Sequence, residues 1–145
     1  MDFLISVVVL SILMFIYQVP LTLTAIIWLP IILLIQFLLI VGLGLALSAA
    51  NVFFRDVTSL LSLGLQLWFY ASPIIYPITS VPDSLRTLYF LNPMAGIIEA
   101  YRSVILEATP PDYMALGLAA IVSVIAFVFG YSFFKRVEFR FADIV

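Results

Sequence analysis

Residues 3–54 read FLISVVVLSILMFIYQVPLTLTAIIWLPIILLIQFLLIVGLGLALSAANVFF, 52 positions without one Asp, Glu, Lys or Arg. A bilayer asks for about 20 consecutive apolar residues per helical crossing, so this stretch is too long for one span and has to be interrupted. Gln18-Val19-Pro20, followed by Thr22 and Thr24, supplies the interruption, because Pro20 lacks the N–H that a continuing helix requires. The reading is two helices, at 3–19 and 26–50, joined by a tight turn. Tyr17 and Trp28 bring rings suited to a membrane interface, and Pro30 fits a first helical turn. The first helix is at the short limit for a span.

Further along, no charge falls between Asp56 and Asp83 or between Asp112 and Lys135, which predicts two more spans at 58–76 and 113–134. Of the 145 residues, 66% are hydrophobic and 10% charged, against roughly 45–50% and about 25% in soluble domains. A water-soluble fold would need an outward polar face in each uncharged stretch, so the expectation is an all-α membrane protein. It is a single transmembrane domain, 1–145, with four transmembrane helices. Met1-Asp2 gives no basic n-region and no small-residue cleavage site follows, so residues 3–17 read as a retained span rather than a cleaved signal.

Four crossings put both termini on one side. Arg55, Lys135, Arg136 and Arg140 lie on that side, against Arg86 and Arg102 on the other, and the bias of cations towards the cytoplasm makes both termini cytoplasmic. Cys and His are absent, which removes thiol nucleophiles, disulfides, Cys/His zinc sites and imidazole chemistry. A net charge of −2 without like-charge runs gives no nucleic-acid surface. With no Gly-rich phosphate loop, ATP hydrolysis is not encoded here.

Between the third and fourth spans, punctuation predicts a pair of short amphipathic helices at 82–91 and 93–108. Thr79 or Ser80 caps the first, with Pro82 and Asp83 in its opening turn; Asn92-Pro93 starts the second with an N-cap residue and a proline at N1, and Pro110-Pro111 stops it. Leu85, Leu88 and Tyr89 share a face in one; Ile97, Ile98, Tyr101, Val104 and Ile105 do so in the other, with Glu99 and Arg102 spaced to pair. Each is too short to span and is expected to lie in the outer half of the bilayer.

Four groups of residues are candidates for function. Arg55 and Asp56, beside Phe53 and Phe54, read as a headgroup anchor or as a contact for a cytoplasmic partner. Trp68, Phe69, Tyr70 and Tyr76, around Pro73 and Pro77, read as ordinary aromatic packing or as a kinked, ring-lined passage where faces stack on sugar or lipid groups. Glu99 and Arg102 form either a structural ion pair or, with Glu107, the wall of a polar route, since a charge at the bilayer centre costs at least about 2.5–3.5 kcal/mol. The small-residue stripes Gly42/Ala46/Ala50, with Gly44 and Ser48 beside them, and Ala115/Ala119/Ser123 read as helix contacts. The acids Asp83, Glu99, Glu107 and Asp112 are dispersed, without the clustering that a membrane enzyme acting on lipid-linked sugars or a metal site needs.

In their order, the motifs Gly42-Leu-Gly-Leu-Ala-Leu-Ser48, Asn51-Val-Phe-Phe-Arg-Asp-Val57, Trp68-Phe-Tyr-Ala-Ser-Pro-Ile-Ile-Tyr-Pro77, Leu91-Asn-Pro93, Tyr101-Arg102 and Phe139-Arg-Phe-Ala-Asp143 resemble a known family. It is the membrane subunit of ATP-binding-cassette exporters of the type-2 permease family, the branch exporting O-antigen, capsular polysaccharide and teichoic acid. The resemblance implies a homodimeric permease in the cytoplasmic cell membrane of a bacterium or archaeon, moving a lipid-linked glycan. It also implies a cytoplasmic ATPase partner that holds the ATP and Mg; this chain binds no cofactor and is a transport component rather than an enzyme. Trp68, Phe69, Tyr70 and Tyr76 would then lie near the glycan route, Arg55 and Asp56 on the ATPase side, and Asn92, Pro93, Glu99, Tyr101 and Arg102 on gate-like helices. The family's permease has six spans, and this chain matches its C-terminal portion without the first two. An exporter of drugs or smaller lipids on the same scaffold, a membrane enzyme acting on lipid-linked sugars, and a structural or assembly protein are the other readings.

Overall fold

The computed structural model describes residues 2–17, 19, 22–53, 57–74, 89 and 91–142. Among them every regular element is an α-helix: α1 (Asp2–Ile16), α2 (Leu23–Phe53), α3 (Val57–Tyr70), α4 (Pro93–Ile105) and α5 (Tyr113–Ala142). Arg55, Asp56, Tyr76 and almost all of the predicted helix 82–91 lie outside the described residues.

Local chemistry sets the ends. The Thr22 hydroxyl accepts the Ala25 N–H at 3.3 Å and starts α2 three residues before the expected position. Pro30 therefore stands inside the helix rather than in its first turn, and leaves the Ile26 carbonyl without its usual helical donor. The Asp112 carboxylate accepts the N–H groups of Met114, at 2.8 Å, and Ala115, at 3.3 Å, and so caps α5. α5 continues beyond residue 134 as far as Ala142, with Lys135 and Glu138 paired at 3.0 Å on its exposed side.

α3 stops at Tyr70, six residues before the expected 76, because Pro73 offers no N–H and pushes the preceding residue out of helical conformation. α4 stops at Ile105 rather than 108, ahead of Pro110-Pro111. The Arg102 carbonyl accepts from both Leu106 and Glu107, and Ala108 takes a left-handed φ of 55°.

α2 and α5 run parallel. Trp28 meets Tyr113 with ring centroids 5.6 Å apart, and fourteen residues further along both chains Gly42 lies on the backbone of Phe127, where a Cβ would come within 2.5 Å. One turn on, a Cβ at Gly130 would collide with the Gly42 carbonyl. The buried line on α2 is Ala25, Ile32, Ile35, Leu39, Gly42 and Ala49, a helical spacing that keeps one face on the neighbour. On α5 it is Ala115, Leu116, Ala119, Ser123, Gly130 and Val137.

α4 lies across the N-terminal halves of both. Ile97, Ala100 and Val104 pack with Ala25, Ile32, Ile35, Leu39, Leu116 and Ala119. Gly96 sits so close that a Cβ would come within 2.6 Å of the Ala115 carbonyl. The buried face of α4 is thus centred on Ile97, Ala100 and Val104, whereas Ile98 and Ile105, expected on it, are half-buried at its margin. α3 packs thinly on α2, and α1 adds no larger packed surface.

α2 and the Tyr113–Glu138 part of α5 are long and apolar enough to cross a bilayer, with mean hydropathies of 2.8 and 2.3. Only 17% and 28% of their most apolar windows is buried inside the protein, the reverse of a soluble core helix. Leu33, Leu34, Phe37 and Ile40 on α2, and Ile121, Ile125, Val128 and Phe129 on α5, face outward. So large an apolar surface requires non-aqueous surroundings.

Candidate functional site: a polar node where α3 meets α4

Polar side chains gather where α3 breaks and α4 begins. Asn92, at N-cap of α4, has extended backbone (φ −75°, ψ 109°), and its side-chain oxygen accepts the Met94 N–H at 3.1 Å. The same oxygen accepts the Trp68 indole N–H at 2.8 Å. Its amide nitrogen donates to the Ser72 hydroxyl at 3.1 Å and to the Ala71 carbonyl at 3.3 Å. Ser72, buried, donates its own hydroxyl to the Trp68 carbonyl at 2.9 Å, closing a ring through Trp68, Asn92 and Ser72. The Asn92 amide thereby uses its full capacity of two donors and two acceptor sites.

One helical face further along α4, Arg102 donates through Nη1 to Glu99 at 3.3 Å and through Nη2 to the Pro73 carbonyl at 3.2 Å. The side chains are 22% and 18% exposed, so the ion pair is neither solvated nor sealed. Tyr101 donates its hydroxyl to the Gln36 side-chain oxygen at 2.7 Å, pinning α4 to α2. The phenol O–H is the donor here, because an amide oxygen can only accept.

The structure thus brings together Trp68, Asn92, Pro93, Glu99, Tyr101 and Arg102. It does not bring Phe69 and Tyr70 into the node: they project outward as an edge-to-face pair, centroids 5.6 Å apart at 87°. Trp68 is half-buried, with its indole N–H donated to Asn92. Two members were not singled out from sequence. Gln36 carried a readable signal, an amide side chain in the apolar middle of α2, since a polar group in such a segment needs a partner. Ser72 carried only its place before Pro73. No group of three or more Asp or Glu among the described residues is placed to hold a metal ion.

An outward apolar surface on two long parallel helices, with charges confined to their ends and to a hydrogen-bonded node, defines an integral membrane protein. The chain belongs to the ABC-2 type transporter family, whose sequence profile matches residues 1–106. It is 29% identical over all of its 145 residues to an O-antigen export system permease protein RfbA of Klebsiella pneumoniae, covering 56% of that protein. A second such protein from the same species is 28% identical over the same length. The O-antigen export system permease protein RfbA of Myxococcus xanthus is 36% identical over 116 residues, 79% of this chain and 45% of the relative. The chain spans about half the length of the curated relatives it matches.

Proposed function

We propose that this chain is the permease part of an ABC exporter that moves a lipid-linked polysaccharide across the cytoplasmic membrane, driven by a separate ATPase subunit. The observation that carries the reading is its similarity, along its whole length, to permeases named for O-antigen export. In this reading the chain performs no chemistry of its own; ATP and Mg belong to the partner, and two permease copies enclose the route.

Four spans are proposed, α1, α2, α3 and α5, with both termini cytoplasmic and α4 in the outer half of the bilayer. From the Trp28–Tyr113 ring pair to the level of Ala49 and Lys135 is about 32 Å at 1.5 Å per residue, close to the roughly 30 Å hydrocarbon thickness. Gln36 lies about 12 Å below that ring pair, which puts its bond to Tyr101 at bilayer depth. Trp68 stands about 17 Å above the start of α3. The outward rings Phe69 and Tyr70, with Tyr76, are proposed to meet the glycan. Asn92, Pro93, Glu99, Tyr101 and Arg102 belong to the gate-like helix, and Arg55 and Asp56 face the ATPase.

Co-expression with the ATPase encoded beside its gene tests the reading. The expected result is a complex that survives mild detergent, hydrolyses ATP in a permease-dependent manner, and restores surface glycan in cells lacking the native exporter. A stable, ATP-hydrolysing complex that leaves glycan export unrestored but clears small lipophilic compounds would overturn the substrate assignment.

A further inference from the structure

α2, α4 and α5 are joined by interdigitated apolar side chains and by backbone contacts at Gly42, Gly96 and Gly130. α3 is joined differently. It packs thinly on α2, and its C-terminal end is fastened to α4 by the Trp68–Asn92–Ser72 ring, the Asn92–Ala71 bond and the Arg102–Pro73 bond. We propose that these bonds form a hydration-sensitive latch, and that α3 swings as a strut against the α2–α4–α5 body when the latch opens.

The last carbonyls of any helix lack intrahelical donors, and in apolar surroundings they must be met by other protein groups. Those of α3 are met largely by its own chain, Leu67 by the Ala71 N–H, Phe69 by the Ser72 N–H and Trp68 by the Ser72 hydroxyl, while α4 meets the two carbonyls just beyond, Ala71 and Pro73, through Asn92 and Arg102. The Arg102 guanidinium also sits at the negative end of the α3 dipole. While the surroundings are dry, α3 cannot leave without stranding these groups. Water entering at the node replaces each bond one for one, whereas it cannot replace the apolar packing of the body. The structure therefore yields at the node first, and α3 is the element released.

The chain contains no cysteine, and Gly44 on α2, Gly64 on α3 and Gly117 on α5 each have open space where a side chain would go. Spin labels on cysteines at these positions report the motion in the full chain in lipid nanodiscs by double electron–electron resonance. The Gly64→Cys/Gly117→Cys pair is expected to give a narrow distance distribution in the parent and a broadened or two-peaked one in Asn92→Leu. The Gly44→Cys/Gly117→Cys pair stays unchanged. Trp68→Phe, which removes one donor and keeps the ring, gives a smaller broadening and decides the matter alone if Asn92→Leu does not fold.

Three results would each overturn the proposal. These are an α3 distribution as narrow in the variants as in the parent, one already broad in the parent, or both label pairs broadening together, which would make Asn92 a core residue. No substrate or ATPase is needed, so failure here leaves the export reading untouched.

Discussion

Tyr101 and Gln36 are 65 positions apart in sequence and meet at 2.7 Å, each the other's answer to a polar group in an apolar layer. Tyr101→Phe strands the Gln36 oxygen, and the expected cost is about 1–2 kcal/mol, read as a lowered unfolding midpoint in detergent. The double variant with Gln36→Leu, which strands nothing, is expected to recover most of that loss. Glu99 and Arg102 were legible as a pair because three residues on a helix is a contact distance. Trp68 and Asn92 were legible as chemistry, an interfacial ring and a helix cap. Their bond to one another was not, since spacing along one helix says nothing about a partner 24 residues away on another.

At the scale of elements, composition makes the helices unavoidable, and proline and capping residues fix most of their ends. The exceptions teach the mechanism. α3 stops at Tyr70 because the first of two prolines, with Ser72 diverted to Trp68 and Asn92, already suffices to end it. The small-residue stripes announced close packing, yet among glycines only geometry separates contact from vacancy: Gly42 and Gly130 touch, while Gly44 and Gly117 face open space. Gly130→Ala is therefore expected to destabilise the α2–α5 pair by about 1–3 kcal/mol. Gly44→Ala and Gly117→Ala are expected to be neutral or to stabilise by up to about 1 kcal/mol, as alanine does in an open helical site. Thermal unfolding of the four proteins side by side, each carrying at most one change, checks the contrast.

For the whole molecule, the proposed orientation makes a sided prediction. Glu107, beyond α4, and Glu138, near the far end of α5, are both exposed and lie at opposite ends of the long helices. In intact cells a membrane-impermeant thiol reagent is expected to label Glu107→Cys, and to label Glu138→Cys only after permeabilisation; the reverse pattern would invert the topology. Class and composition were readable at this scale because charge is so unevenly distributed along the chain. The shared direction of α2 and α5 follows from the four alternating crossings expected, but their adjacency was not readable, because nothing local encodes which of several apolar helices adjoin.

That alignment couples residues 85 positions apart, Trp28 with Tyr113 and Gly42 with Phe127. During synthesis, at roughly 5–20 residues per second, α2 is made about 4–17 s before the matching part of α5. For that interval it stands in lipid without its partner, which is tolerable because the face it will bury is as greasy as the face it will keep exposed. Gln36 is the exception, an amide in the apolar middle of α2 whose tyrosine is translated 65 residues later.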